Sequence, residues 1–321
     1  MHNVKHYRIT QTFVIALAML FVAVVGASAQ TAQSQSGNDL LDSIAAATGL
    51  AGITAQPIVA TLRNPTDVAS DASGRHFYFL ADGHRGKSVF RVTLATGKVR
   101  ELWSGAPLVA PLGIAVGDDG DAVYVADPGA GRGGVLFALD DEELRPLVVG
   151  YHARGVETHG DDIYFTGNNP RTGAPGLFRI GEGGGHVRVV AEGWPFLHPI
   201  GVALGRGGDA WVSDETAPGF ARVIHVVGGH AVAVTAPLRA GTPPGIAVAQ
   251  DEKTVLLSGL DAITGTALVY FIDAQSFTIA SANNGISGNT GAGGLHRAAR
   301  NGMIFSWAGT PHGPIYKIMV N

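Results

Sequence analysis

Short apolar runs broken by Gly, Asp and Pro fill the chain from about residue 54 to its end. In "LGIAVGDDGDAVYVAD" (112–127) two such runs flank a Gly/Asp turn, which is the pattern of a β-hairpin. "GVLFAL" (134–139) and "LRPLVVG" (144–150) follow, so one unit reads as four strands joined by turns. The pattern differs only near the N-terminus. There "NDLLDSIAAATGLAG" (38–52) predicts a short helix, with Asn38 as N-cap and Gly49 near its end.

The four-strand unit recurs. "NPTDVASDASGRHFYFLAD" (64–82), "APLGIAVGDDGDAVYVAD" (110–127), "HARGVETHGDDIYFTGN" (152–168), "HPIGVALGRGGDAWVSD" (198–214), "TPPGIAVAQDEKTVLLSG" (242–259) and "GAGGLHRAARNGMIFSW" (291–307) align on Asp67, Gly113, Gly155, Gly201, Gly245 and Gly294. The anchors stand 46, 42, 46, 44 and 49 residues apart. Four strands in such a unit make a propeller blade, and six units predict an all-β, six-bladed β-propeller of four-stranded antiparallel blades over 54–321. The sixth unit is one strand short, and "TAQPIVATLR" (54–63) is the candidate to complete it. That pairing closes the ring through the N-terminal strand and leaves no free edge.

Residues 1–29 have the form of a signal peptide: a basic start, the apolar run "FVIALAMLFVAVVGA" and a small-residue cleavage pattern, with cleavage expected after Ala29. An uncleaved anchor is the alternative, but the run is short for a membrane span and no stop-transfer pattern follows. The mature chain is thus expected to be periplasmic or secreted, without a membrane span, and 30–53 reads as a linker and short helix. Two of the 22 Lys and Arg fall in the signal segment, leaving 20 against 26 Asp and Glu, a net charge of −6. With no basic block, nucleic acid is not an expected partner. The absence of Cys excludes disulfides, a thiol nucleophile and thiolate metal sites.

The "P-x-G-I-A-V … Y-V-A-D" cadence, complete in 110–127 and kept in its first half at 243–248, resembles that of the NHL-repeat and SMP-30/gluconolactonase-like (TolB-like) group of six-bladed propellers. The resemblance covers essentially residues 54–321 and implies the fold more strongly than an activity. The chain departs from both patterns. Asp82, Asp127 and Asp214 stand where NHL repeats place an Asp, but the Asn that follows there is missing, and only "ARVI" (221–224) keeps the Arg-hydrophobic end. The Glu-Gly-Pro tripeptide, which supplies a metal ligand in gluconolactonase-like members, does not occur, which puts a calcium lactonase site in doubt.

Candidate chemistry stands where the repeat is broken. The slot holding Ala69, Ala115, Ala203 and Ala247 carries Glu157 in the third unit and His296 in the sixth, and blades three and six face each other across a six-fold ring. His152 and His198 each precede their anchor Gly by three residues in adjacent units. Three imidazoles and a carboxylate on one axis form an N/O set that favours zinc, manganese or iron over calcium. Tyr151 and Arg154 lie beside them as candidate proton donor and anion clamp, and Glu157 as candidate base. The set resembles in outline the peptide-amidating lyase, also a six-bladed NHL-type propeller. There inner-loop histidines hold zinc near a Tyr and an Arg.

Each residue also has a structural reading: Glu157 and His296 or Arg154 as a buried polar plug, and the loop histidines as partners of loop carbonyls. Trp194, Phe196 and Trp307 are candidate substrate-binding aromatics or simple packing, and Asp82, Asp127 and Asp214 are expected to cap the turns that follow them. Two functions therefore stand open: a metal-dependent hydrolase or lyase on a small metabolite held at the propeller mouth, or a non-catalytic module that binds a protein or glycan.

Overall fold

The computed structural model describes residues 53–59, 62–120, 122–249, 251–283, 292–297, 304–309 and 314–320. The expected signal segment, linker and helix at 38–52 lie outside the described residues, within which no helix is long and apolar enough to cross a membrane.

The chain forms an all-β propeller of antiparallel four-stranded blades. Strand β1 (Ile53–Val59) comes first. Five sheets of consecutive strands follow. The first is β2 (Val68–Ser70), β3 (His76–Asp82), β4 (Lys87–Thr93) and β5 (Lys98–Ser104). The second is β6 (Gly113–Val116), β7 (Val123–Asp127), β8 (Val135–Asp140) and β9 (Glu143–Val149). The third is β10 (Val156–His159), β11 (Asp162–Asn168), β12 (Pro175–Gly181) and β13 (Arg188–Glu192). The fourth is β14 (Pro199–Leu204), β15 (Ala210–Ala217), β16 (Phe220–Val227) and β17 (His230–Ala233), with β18 (Leu238–Arg239) also on β16. The fifth is β19 (Ile246–Val248), β20 (Thr254–Leu260), β21 (Ala267–Asp273) and β22 (Ile279–Asn283). A further sheet joins β23 (Ala292–Arg297), β24 (Ile304–Gly309) and β25 (Ile315–Val320), and β1 lies antiparallel on β25 with Thr54 opposite Met319 and Pro57 opposite Tyr316.

The burial pattern explains the sequence pattern. Strands such as β7 are covered on both faces by neighbouring blades and so read as continuous apolar runs. Outer strands such as β5 and β9 face solvent and carry charge. The aromatic and aliphatic core lies between blades: Tyr124, Phe165 and Phe178, for example, share one cluster across the second and third sheets.

The anchor glycines have a steric cause. A Cβ on Gly155 would stand 2.0 Å from the carbonyl oxygen of Ile200 in the next inner strand, so the strands meet backbone to backbone around the axis. A Cβ on Gly294 would run into Asp67 Oδ1, the one non-Gly anchor of the repeat. The Ala slot keeps its register throughout. Ala69 faces Tyr78, Ala115 faces Tyr124, Ala203 faces Trp211 and Ala247 faces Leu256, while Glu157 faces Tyr164 and His296 faces Ser306.

The Asp residues at or near the ends of second strands act mainly on a different loop from the one expected; Asp214 lies within β15, which continues to Ala217. Asp127 does take the Gly129 amide of the following turn (2.9 Å), but it also accepts the amides of Val109 (2.7 Å) and Ala110 (3.0 Å). Asp214 accepts those of Leu197 (2.9 Å) and His198 (2.8 Å). Both therefore tie down the loop that leads into their own blade's inner strand. Asp82 binds Asn64 of the corresponding loop (2.5 Å) and Lys87 (2.6 Å).

Candidate functional site

Two cavities mark the axis. One, here the upper, lies where the inner strands begin. Asp67, Gly113, Arg154, Gly201, Pro244 and His296 are among the residues that line it, and its volume is about 20 Å³. The lower cavity lies where the inner strands end. It measures about 70 Å³, and its polar side chains include Asp71, Asp118, Glu157 and His159.

His296 stands between the two and is 7% exposed. Its Nδ1 lies 3.3 Å from Glu157 Oε2, a contact across 139 positions of sequence, and its Nε2 lies 3.0 Å from Asp67 Oδ2. The two substituted Ala slots thus meet across the channel, as their repeat positions predict. Asp67 also accepts the amides of Val68 (2.9 Å) and Ile114 (2.8 Å), and Glu157 accepts that of Thr158 (3.1 Å). Burial alone would push the imidazole down. The opposing charge and hydrogen bonds of Asp67 and Glu157 outweigh it and hold His296 up, at about 10. His296 is therefore an imidazolium clamped between two carboxylates, with no free nitrogen for a metal or for base catalysis.

Asp67 is the partner that motif reasoning missed. Its signal was present, since it is the single acid in an anchor slot that five other units fill with Gly.

The remaining candidates divide between other places. His152 is exposed, with φ 48°, and its amide donates to the Gly133 carbonyl (2.6 Å). His198 is exposed and pairs through Nδ1 with Glu215 at 3.0 Å in its own blade. The expected set of His152, His198, His296 and Glu157 does not converge on one ion. Both nitrogens of His296 are occupied, and Glu157 opens onto the lower cavity while the loop histidines lie at the upper end. Asp67 and Glu157 stand off opposite nitrogens of the same ring, so they do not form one chelating pair either. Among the described residues no group of three or more His, Asp or Glu is arranged to hold a metal ion.

Tyr151 packs edge-on against Phe165 (5.7 Å) and Phe178 (5.1 Å), as a core aromatic of blade three. Arg154 lines the upper cavity, apart from Glu157, and donates through Nη2 to Asn168 Oδ1 (2.7 Å). Phe196 is 3% exposed inside the core of its blade, so its ring is not offered to a ligand, contrary to expectation. Trp194 is 81% exposed, with the Arg222 guanidinium 5.5 Å from its ring centre. The Trp307 side chain lies outside the described residues. Burial pushes the Asp214 carboxyl up, against the amides of Leu197 and His198 and the Arg222 side chain.

No protein-family model matches the sequence, and no curated relative matches it. Solved structures share the fold. A gluconolactonase from Xanthomonas campestris is similar at 16% identity and a TM-score of 0.63, over 85% of this chain and 91% of that one. The PQQ-bound aldose sugar dehydrogenase of Streptomyces coelicolor is similar at 14% identity and a TM-score of 0.62, over 84% of this chain and 99% of that one. A chain of a nidogen/laminin complex is similar at 17% identity and a TM-score of 0.54, over 67% of this chain and 78% of that one. These define the chain as a β-propeller of the architecture shared by gluconolactonase-like enzymes. At such identities they speak for the fold alone.

Proposed function

We propose that the chain is an exported, six-bladed propeller, completed by β1, that binds a small polyhydroxylated metabolite in its lower axial cavity. Glu157 is the group that recognises it. The observation that carries this reading is the Glu157 carboxylate: its side chain is 23% exposed, fixed by His296 and turned to a 70 Å³ cavity with Asp71, Asp118 and His159 around it. Ionised carboxylates are pure acceptors and match ligand hydroxyls, while the small volume admits one polar end of a ligand and not a bulky apolar body. The sugar chemistry named for two of the similar propellers supports that substrate class by analogy of fold.

Hydrolysis of a sugar lactone or ester is the reaction that fits: Glu157 takes a proton from water as the water oxygen bonds to the acyl carbon, and returns it to the alcohol oxygen released as the old acyl C–O bond breaks. The zinc, manganese or iron ion inferred from sequence is not part of this reading, because His152 and His198 stand apart from the Glu157–His296 pair, whose imidazole nitrogens are both engaged.

Isothermal titration of the mature protein with a panel of aldoses and their lactones, run beside a hydrolysis assay, tests the reading. At least one member is expected to bind, and Glu157→Gln is expected to weaken it at least about tenfold, the scale of losing one charged hydrogen bond. Binding without turnover would leave the non-catalytic module. Binding that is indifferent to Glu157→Gln would remove the cavity from consideration.

A further inference from the structure

The wall of the upper cavity carries a charge that the described residues leave unmatched. Arg154 is 9% exposed, and its Nη1 is buried without a hydrogen-bond partner. Its Nη2 is taken by Asn168, a neutral group. Among the described residues Arg154 forms no ion pair. The acids that act on it from a distance, Asp214 and Glu215, are engaged by Arg222 and His198. Asp67, the one carboxylate among the described residues lining this cavity, is taken up by His296 and two backbone amides. Burial pushes the Arg154 guanidinium down, against the pull of Asp214 and Glu215, so the site holds its charge at a cost.

We infer that the upper cavity is a second binding site, distinct from the one at Glu157, that takes the head group of a small carboxylate anion against Arg154. A guanidinium and a carboxylate match in plane and in charge. The cavity of about 20 Å³ is small, which favours a compact planar carboxylate over a larger tetrahedral anion.

Formate is the probe. Melting and calorimetry of the mature protein in sodium formate are compared with sodium chloride at equal ionic strength. Formate is expected to raise the melting temperature saturably. Arg154→Met is expected to abolish that response and to melt in chloride at or above wild type, because an unpaired buried charge is gone. Should Arg154→Met fail to fold, Asn168→Ala replaces it and is expected to weaken formate several-fold by freeing the guanidinium. No formate-specific response in wild type overturns the inference, and so does a response that survives Arg154→Met or is unchanged in Asn168→Ala.

Discussion

Replacing His296 with alanine is expected to cost the fold about 3–5 kcal/mol, the penalty for removing one member of a buried ion pair. For a propeller of this size that is a fall in melting temperature on the order of 10 °C. The loss arises because Asp67, nearly fully buried, keeps only its two amide partners, and Glu157 keeps only the Thr158 amide. Glu157→Ala is expected to cost much less, because it restores the residue of four other blades and leaves His296 on Asp67 at 3.0 Å. The Glu157→Ala/His296→Ala double variant should then recover part of the single loss, a coupling that a double-mutant cycle reads directly. A loss below about 1 kcal/mol for His296→Ala, or strict additivity, would show that the axial group does not act as a unit.

Deleting the chain through Leu62 is expected to have the other large effect. It removes β1 and bares the edge of β25 along Ile315–Val320, where unpaired amides and carbonyls template association. Aggregation during expression or on warming is the expected outcome, while a deletion ending at residue 52 leaves β1 in place and is expected to remain soluble. A soluble, cooperatively unfolding product of the longer deletion would contradict the proposed closure. Light scattering with thermal unfolding distinguishes the two.

The propeller was legible because its cause is periodic. The anchor glycines recur since inner strands approach closely from blade to blade, backbone to backbone at Gly113, Gly155 and Gly245, and the Ala slot recurs in the same register. The Glu157–His296 contact was legible for the same reason, as two breaks in one register. The rest depended on directions that no register carries. His152 and His198 occupy equivalent positions, yet one lies in a left-handed loop conformation and the other turns to Glu215. Tyr151 and Phe196 read as mouth residues by position, but both rings pack against the cores of their blades. Asp67 was visible as an odd anchor, but only geometry shows it bonded to a histidine 229 positions away. Arg154 and Glu157 are separated because Arg154 lies in the loop before β10 and lines the upper cavity, while Glu157 lies within β10 and lines the lower one.

The claim at the centre of this account is that His296 is an imidazolium at neutral pH between Asp67 and Glu157. Because its folded pKa, about 10, lies above its ordinary value of 6.5, the stability it contributes is fully present below 6.5 and is lost as pH rises through about 10. Nitrogen-15 NMR of the histidine rings, with His296 assigned by its disappearance in His296→Gln, reads the protonation state directly. The account predicts doubly protonated ring shifts from about pH 5 to about pH 9, with stability falling as the signal titrates above that range. A neutral His296 tautomer at about pH 7.5 would contradict it.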